Sequence, residues 1–173
     1  MHLDFLRAGT DIIETSTYQA SVPDLMKYLS VTEEKSIKLL HEAVNLVKNA
    51  VNDYIKEIIE NNPIENKNPI IAGSCGPYGA SLHDSSEYNG TYGKTTPRDT
   101  IIEWHKSCIN AFVDADINLL ALETIPCCQE AEALIELLRE YPNIKAWLSF
   151  SCKKDSQNIV DGSNFKRNCF TLL

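Results

Sequence analysis

Short apolar runs rich in β-branched residues alternate along this chain with longer segments of helical period, and that alternation restricts the fold more than any other feature. The first run is Asp11-Ile12-Ile13-Glu14-Thr15-Ser16-Thr17-Tyr18, introduced by Ala8-Gly9. A long helix is predicted next. Ser30 and Glu33 form a capping-box pattern, and Ile37, Leu40, Val44, Val47, Val51, Tyr54 and Ile58 follow at spacings of three and four until Asn61-Asn62-Pro63 stops the periodicity. Pro69 to Gly76 reads as a second, buried strand ending in a glycine turn, followed by a polar and aromatic loop from Pro77 to Thr95 whose length suggests function or mobility. Thr96 as N-cap, Pro97 at the first helical position and Asp99 in the first turn open a helix with Ile101, Ile102, His105, Cys108, Ile109, Phe112 and Val113 on its apolar face. The third strand, Ile117 to Leu122, runs into Glu123-Thr124-Ile125-Pro126. A helix carrying Ala131, Leu134, Ile135 and Leu138 then stops before Pro142, and Ile144 to Phe150 is the fourth strand.

Strand, helix, strand, helix with near-continuous apolar strands predicts an α/β fold, a parallel sheet covered by helices. Right-handed crossovers place successive strands side by side and gather the loops after them at one end. Tyr18-Gln19, Gly76 to Tyr92, Glu123-Thr124 and Ser151-Cys152 all reach that end, so a site is expected there.

Composition excludes several classes. With 173 residues, 43% hydrophobic and 23% charged, the chain is an ordinary folded sequence rather than a disordered one. Its net charge of −8 and lack of a basic stripe argue against nucleic acid or an anionic membrane as partner. No run approaches the ~18 apolar residues of a membrane span, and Met1 to Arg7 lacks the layout of a signal peptide, so a cytoplasmic protein is expected. In that compartment the six cysteines are thiols, metal ligands or core filler rather than a disulfide framework.

Phosphate-loop, dinucleotide-binding, serine-hydrolase, zincin and C-x-x-C motifs are all absent. What remains is a set of strand ends. Glu123 closes an apolar strand, where it could pair with a ligand ammonium group or serve simply as a helix N-terminal acid. Thr15 and Thr17 point to one face of the first strand, either as ligand hydroxyls or as residues of high β propensity. The four histidines read as structural. Cys75, Cys127, Cys128 and Cys152 would lie at one end of the sheet, where a thiolate zinc site is conceivable.

Three runs in order, Ala8 to Ser21, Ala72 to Ala80 with Ser86 to Tyr92, and Leu122 to Pro126, resemble the homocysteine S-methyltransferase family. The similarity spans roughly Met1 to Ser163, a partial homocysteine-binding domain, and leaves 164–173 as a divergent tail. The resemblance implies part of a (β/α)8 TIM barrel, approximately strands two to five with their helices. It also implies a zinc ion that binds the homocysteine thiol as thiolate, which attacks a sulfonium methyl group to give methionine. The glycine-tyrosine loop with Ser86-Glu87-Tyr88 is closer to the branch using S-methylmethionine or S-adenosylmethionine than to the betaine branch. By the same resemblance, Glu123 would bind the homocysteine amino group and Thr15 its amino-acid end. The loop Gly76 to Tyr92 would lie beside the donor, with Tyr78 or Tyr88 available for cation–π contact.

The chain departs from the family in what it omits. The family's zinc cysteines follow its sixth and eighth strands, and its first strand carries an Asp-Gly element; none of these matches this sequence, and Cys127-Cys128 is not in the family's position. No catalytic residue or metal ligand is therefore assigned, and the chain alone is expected to be inactive. The alternative is a catalytically inactive half-barrel or partner-binding remnant, whose open sheet edges would favour self-association.

Overall fold

A computed structural model of the chain describes residues 1–61, 67–154 and 156–164. Four parallel strands lie in the order β1-β2-β3-β4, so successive strands are neighbours, as the alternation predicts. They are β1 (Ile12–Glu14), β2 (Ile70–Cys75), β3 (Leu119–Ile125) and β4 (Lys145–Phe150). The helices are α1 (His2–Arg7), α2 (Val22–Leu29), α3 (Glu33–Asn61), α4 (Arg98–Asp114) and α5 (Cys128–Leu138).

Alternation along the strands sorts side chains to two faces. Leu120 and Leu122 of β3 pack with Val44 of α3, Ile109 and Phe112 of α4, and Leu134 and Leu137 of α5, which forms the main core. A second cluster joins Leu6 of α1, Ile13 of β1 and Val47, Val51 and Tyr54 of α3. Among the described residues no helix packs on the other face of the sheet. Ile12 and Ile70, paired across β1 and β2, remain 45% and 50% exposed there.

Four local expectations need correction. Helices α1 and α2 were not anticipated: each is short, and α2 begins at its own cap, with Ser21 Oγ accepting from the Asp24 N–H at 3.1 Å. Ser30 does not open the long helix. It ends α2 in the left-handed region (φ 53°), and Thr32 caps α3 by accepting from the Lys35 N–H at 3.2 Å. Thr96 does not cap α4 with its side chain; Pro97 occupies the cap position, and the Thr96 carbonyl instead accepts from Gln129 Nε2 at 2.8 Å. The first strand is three residues rather than eight; beyond Glu14 the Thr15 N–H still donates to the Ala72 carbonyl at 3.0 Å, and the Thr15 and Thr17 hydroxyls bond the backbone of Ser74. Of the segments read from sequence, Asn62-Pro63 and 165–173 of the tail lie outside the described residues.

Candidate functional site

The C-terminal ends of β1, β2 and β3 meet in one cleft of about 590 Å³, walled by Glu14, Thr15, Tyr18, Gln19, Ser74 and Glu123. A chain of hydroxyls builds its floor. Thr15 Oγ1 accepts from the Ser74 N–H at 3.0 Å, and Thr17 donates to the Ser74 carbonyl at 2.8 Å. Thr17's proton is thus committed, so in the 2.6 Å contact between the two threonines Thr15 is the donor. Both residues are buried, and together they clamp the backbone of Ser74. Its hydroxyl is thereby aimed at Glu123, donating to Oε2 at 2.8 Å.

Glu123 is set by a break in β3. Leu122 pairs with Leu148 and Ile125 with Phe150, so Glu123 and Thr124 together oppose the single residue Ser149. Thr124 absorbs this bulge at φ 61°, a conformation costly for a β-branched residue, and its N–H donates to Ser149 Oγ at 3.2 Å. Strain of this kind, of order 1–3 kcal/mol, concentrates at functional sites. The carboxyl of Glu14 reaches Glu123 from β1. Burial first, and then the charge of Glu123 and a hydrogen bond shared with it, raise the Glu14 carboxyl above its ordinary value. The resulting pair of carboxyls holds a proton readily and would exchange it for a cationic group.

Tyr18 forms the roof beside this pair. It lies over Gly76, whose N–H donates to the Tyr18 carbonyl at 3.0 Å; a Cβ at Gly76 would come within 2.5 Å of that oxygen, so only glycine fits. Burial raises the Tyr18 phenol, whose surroundings include the Thr124 side chain, Tyr88, Glu87 and Glu123.

The segment 77–95, read as a long loop, is folded into three short 3₁₀ turns, Tyr78–Leu82, Ser86–Tyr88 and Thr91–Lys94. Its anchor is Glu130 of α5, which is fully buried. Glu130 Oε1 accepts from the Tyr78 N–H at 2.6 Å and contacts His105 Nε2 at 2.7 Å, while Oε2 accepts from the Tyr92 hydroxyl. Gly90, at φ 66°, presses against the Pro126 carbonyl after β3. The segment is therefore held on β3 and α5 rather than free.

The structure brings Glu123 and Thr15 into one cleft and separates the two tyrosines expected beside a donor. Tyr88 is 61% exposed and lies by Tyr18. The Tyr78 ring instead packs on Tyr92 and Trp104, with centroids at 5.6 and 5.7 Å, and lines a different groove with Met26 and Trp104. Glu14 and Ser74 were not singled out from sequence, whereas Tyr18 was among the strand-end residues expected at this end. The signal was present in parallel pairing: strand-end residues on neighbouring strands must converge.

The four cysteines considered for zinc do not converge. Cys75 is buried with its Sγ 3.9 Å from the Gly73 carbonyl, and Cys127 packs against Gly93. Cys128 faces Glu132 at 3.5 Å, and the exposed Cys152 turns to the Phe150 carbonyl at 3.7 Å. Burial pushes the Cys75 thiol well up, that of Cys127 to about 12 and that of Cys128 to about 11, the reverse of what a thiolate ligand needs. Among the described residues no group of three His, Cys, Asp or Glu side chains could hold a metal, so zinc does not fit them.

Comparison with known proteins adds the following. The profile of the family described as homocysteine S-methyltransferase matches residues 1–173. Betaine-homocysteine S-methyltransferase of Drosophila melanogaster is 45% identical over 99% of this chain and 51% of its own length. Homocysteine S-methyltransferase YbgG of Bacillus subtilis is 37% identical over 94% of this chain and 50% of its own. The metallated crystal structure of the homocysteine methyltransferase MmuM from Escherichia coli superposes with a TM-score of 0.87 at 37% identity, over 99% of this chain and 56% of that one. The chain thus spans about half the length of the relatives it matches.

Proposed function

The chain belongs to the homocysteine S-methyltransferase family, and from that membership we propose that it holds the amino-acid end of homocysteine for methyl transfer from a cationic donor to the homocysteine thiol. In that reaction the sulfur lone pair attacks the methyl carbon in line, the bond from methyl to the donor's positive atom breaks, and its electron pair neutralises that atom. The thiol proton is lost and methionine results.

The observation that carries this reading is the Glu14–Glu123 pair, oriented by Ser74 at the ends of three parallel strands. A substrate ammonium placed there replaces the proton the pair retains, and Glu123 is its principal partner. Thr15 walls the cleft at the amino-acid end and holds Ser74 in place. Tyr88, rather than Tyr78, is the ring on the donor side. The sulfonium donors S-methylmethionine and S-adenosylmethionine are favoured by Ser86-Glu87-Tyr88, although the name of the fly relative shows a quaternary ammonium donor within the family. In this reading the sheet is strands two to five of a (β/α)8 barrel, residues 1–163 are a partial homocysteine-binding domain, and the setting is the cytoplasm, in keeping with five free thiols among the described residues.

A second reading, a unit that binds substrate without turning it over, is favoured by the dispersal of the thiols. Both readings rest on the acidic pair. Calorimetric titration of the purified chain with homocysteine and with 4-mercaptobutyrate, which lacks the amino group, tests them. Homocysteine should bind more tightly by roughly tenfold or more, the worth of a hydrogen bond to a charged group, and Glu123→Gln should abolish the difference. Equal affinities for the two thiols would contradict the assignment.

A further inference from the structure

The acidic pair answers only half of an α-amino acid. Homocysteine carries a carboxylate on the same carbon as its ammonium group, and carboxyls beside that carbon repel it unless a hydrogen-bond donor faces it from another wall. The donors of the floor are already committed. Thr15 donates to Thr17, Thr17 to the Ser74 carbonyl and Ser74 to Glu123, while the Ser74 N–H goes to Thr15 and the Thr15 N–H to the Ala72 carbonyl at 3.0 Å. The Ser16 hydroxyl is engaged with His2 Nε2 at 3.2 Å.

Among the described residues that line the cleft, Gln19 is the one whose side chain carries N–H groups. The backbone beneath it is tied on both sides. The Ala20 N–H donates to the Thr17 carbonyl at 2.9 Å, so Tyr18 and Gln19 are the central residues of a turn. Thr17 is pinned to β2 through Ser74, and the Tyr18 carbonyl accepts from the Gly76 N–H at 3.0 Å. Beyond the turn, Ala20 packs on the cluster of Val22, Leu40 and Ala111, and Ser21 caps α2.

The Gln19 side chain is exposed and takes no part in these contacts, so the fold has no call on it. Ala20 and Leu25 continue the same wall with apolar surface. The cleft is therefore acidic at the ends of β1 and β3 and amide-bearing at the turn between β1 and α2. Those two characters match the two charged groups of an amino-acid zwitterion.

We propose that the Gln19 carboxamide donates to the α-carboxylate of the bound amino acid, and so makes the cleft select a zwitterion over a simple amine. This rests on the reading of the cleft as the homocysteine site. Glu123 and Glu14 then recognise the ammonium group, and Gln19 decides whether a carboxylate beside it is accepted or repelled.

Calorimetric titration of the full chain with homocysteine, with 3-mercaptopropylamine, which lacks the carboxylate, and with 4-mercaptobutyrate, which lacks the amino group, separates the two ends. Wild type should bind homocysteine roughly tenfold more tightly than 3-mercaptopropylamine, the worth of a hydrogen bond to a charged group. Gln19→Ala should bring these two to parity, leave the affinity for 3-mercaptopropylamine unchanged and keep the preference for homocysteine over 4-mercaptobutyrate. Gln19→Glu, which sets a third carboxylate against the ligand's own, should reverse the order and favour the amine. No preference for homocysteine over the amine in wild type, a preference that survives Gln19→Ala, or an equal loss of affinity for the amine in that variant overturns the proposal. If wild type does not distinguish homocysteine from 4-mercaptobutyrate, it is the reading of the cleft itself that fails.

Discussion

Two carboxyls from different strands placed at hydrogen-bonding distance make Glu14 the residue whose titration reports on the site. Its folded-state value is raised, chiefly by burial and then by Glu123. The folded chain therefore holds this proton more tightly than the unfolded one, and Glu14's contribution to stability is present at low pH and lost as pH rises through its folded value. An ammonium ligand has the opposite requirement, because it binds the ionised pair. Homocysteine affinity should accordingly rise with pH across the window from the ordinary carboxylate range to the raised Glu14 value. Glu14→Gln should flatten this rise and remove the matching fall in stability. Thermal melts and titrations at several pH values from 4 to 7 would check both slopes; an affinity that falls with pH, or is indifferent to Glu14→Gln, contradicts the pairing.

At the scale of elements, the segment between β2 and α4 is positioned by one side chain on α5. Glu130→Ala would strand the His105 Nε2, the Tyr92 hydroxyl and the Tyr78 N–H in the interior. Breaking a buried, charge-assisted cluster of this kind costs about 3–5 kcal/mol. The expected result is a lower denaturation midpoint, together with faster amide exchange over 77–95 than over α3. Uniform exchange would show that Glu130 does not anchor the segment. This anchor illustrates which parts of the molecule were legible in the sequence. Strand order and the long apolar faces of α3, α4 and α5 follow from local periodicity, and Glu123 from its place at a strand end. The Glu130 cluster joins three residues separated by up to 52 positions, with no spacing rule to connect them. Glu14 was passed over because its meaning depends on Glu123 two strands away, and Ser30 was misplaced because its left-handed backbone, not its side chain, decides its role. The bulge at Thr124 is likewise a matter of β4's register, which no local pattern in β3 encodes.

Among the described residues, four parallel strands in sequence order leave β1 and β4 as outer edges and one sheet face without helices, with Ile12 and Ile70 half exposed upon it. Open edges and an apolar face favour association. Light scattering on the purified chain should show a mass that climbs with concentration, whereas a constant monomer mass would count against this. The superposition on MmuM covers 56% of that chain. Such a chain can still present a finished part of a site, because Glu14, Ser74 and Glu123 lie on adjacent paired strands within it. The central claim is that this part receives the amino-acid end of homocysteine, and backbone amide NMR during a homocysteine titration addresses it most directly. The account predicts that the largest shift changes fall at Thr15, Ser74 and Glu123–Thr124, and that they vanish in Glu123→Gln. Changes centred on the separate groove around Met26 and Trp104, or none at saturating homocysteine, would contradict it.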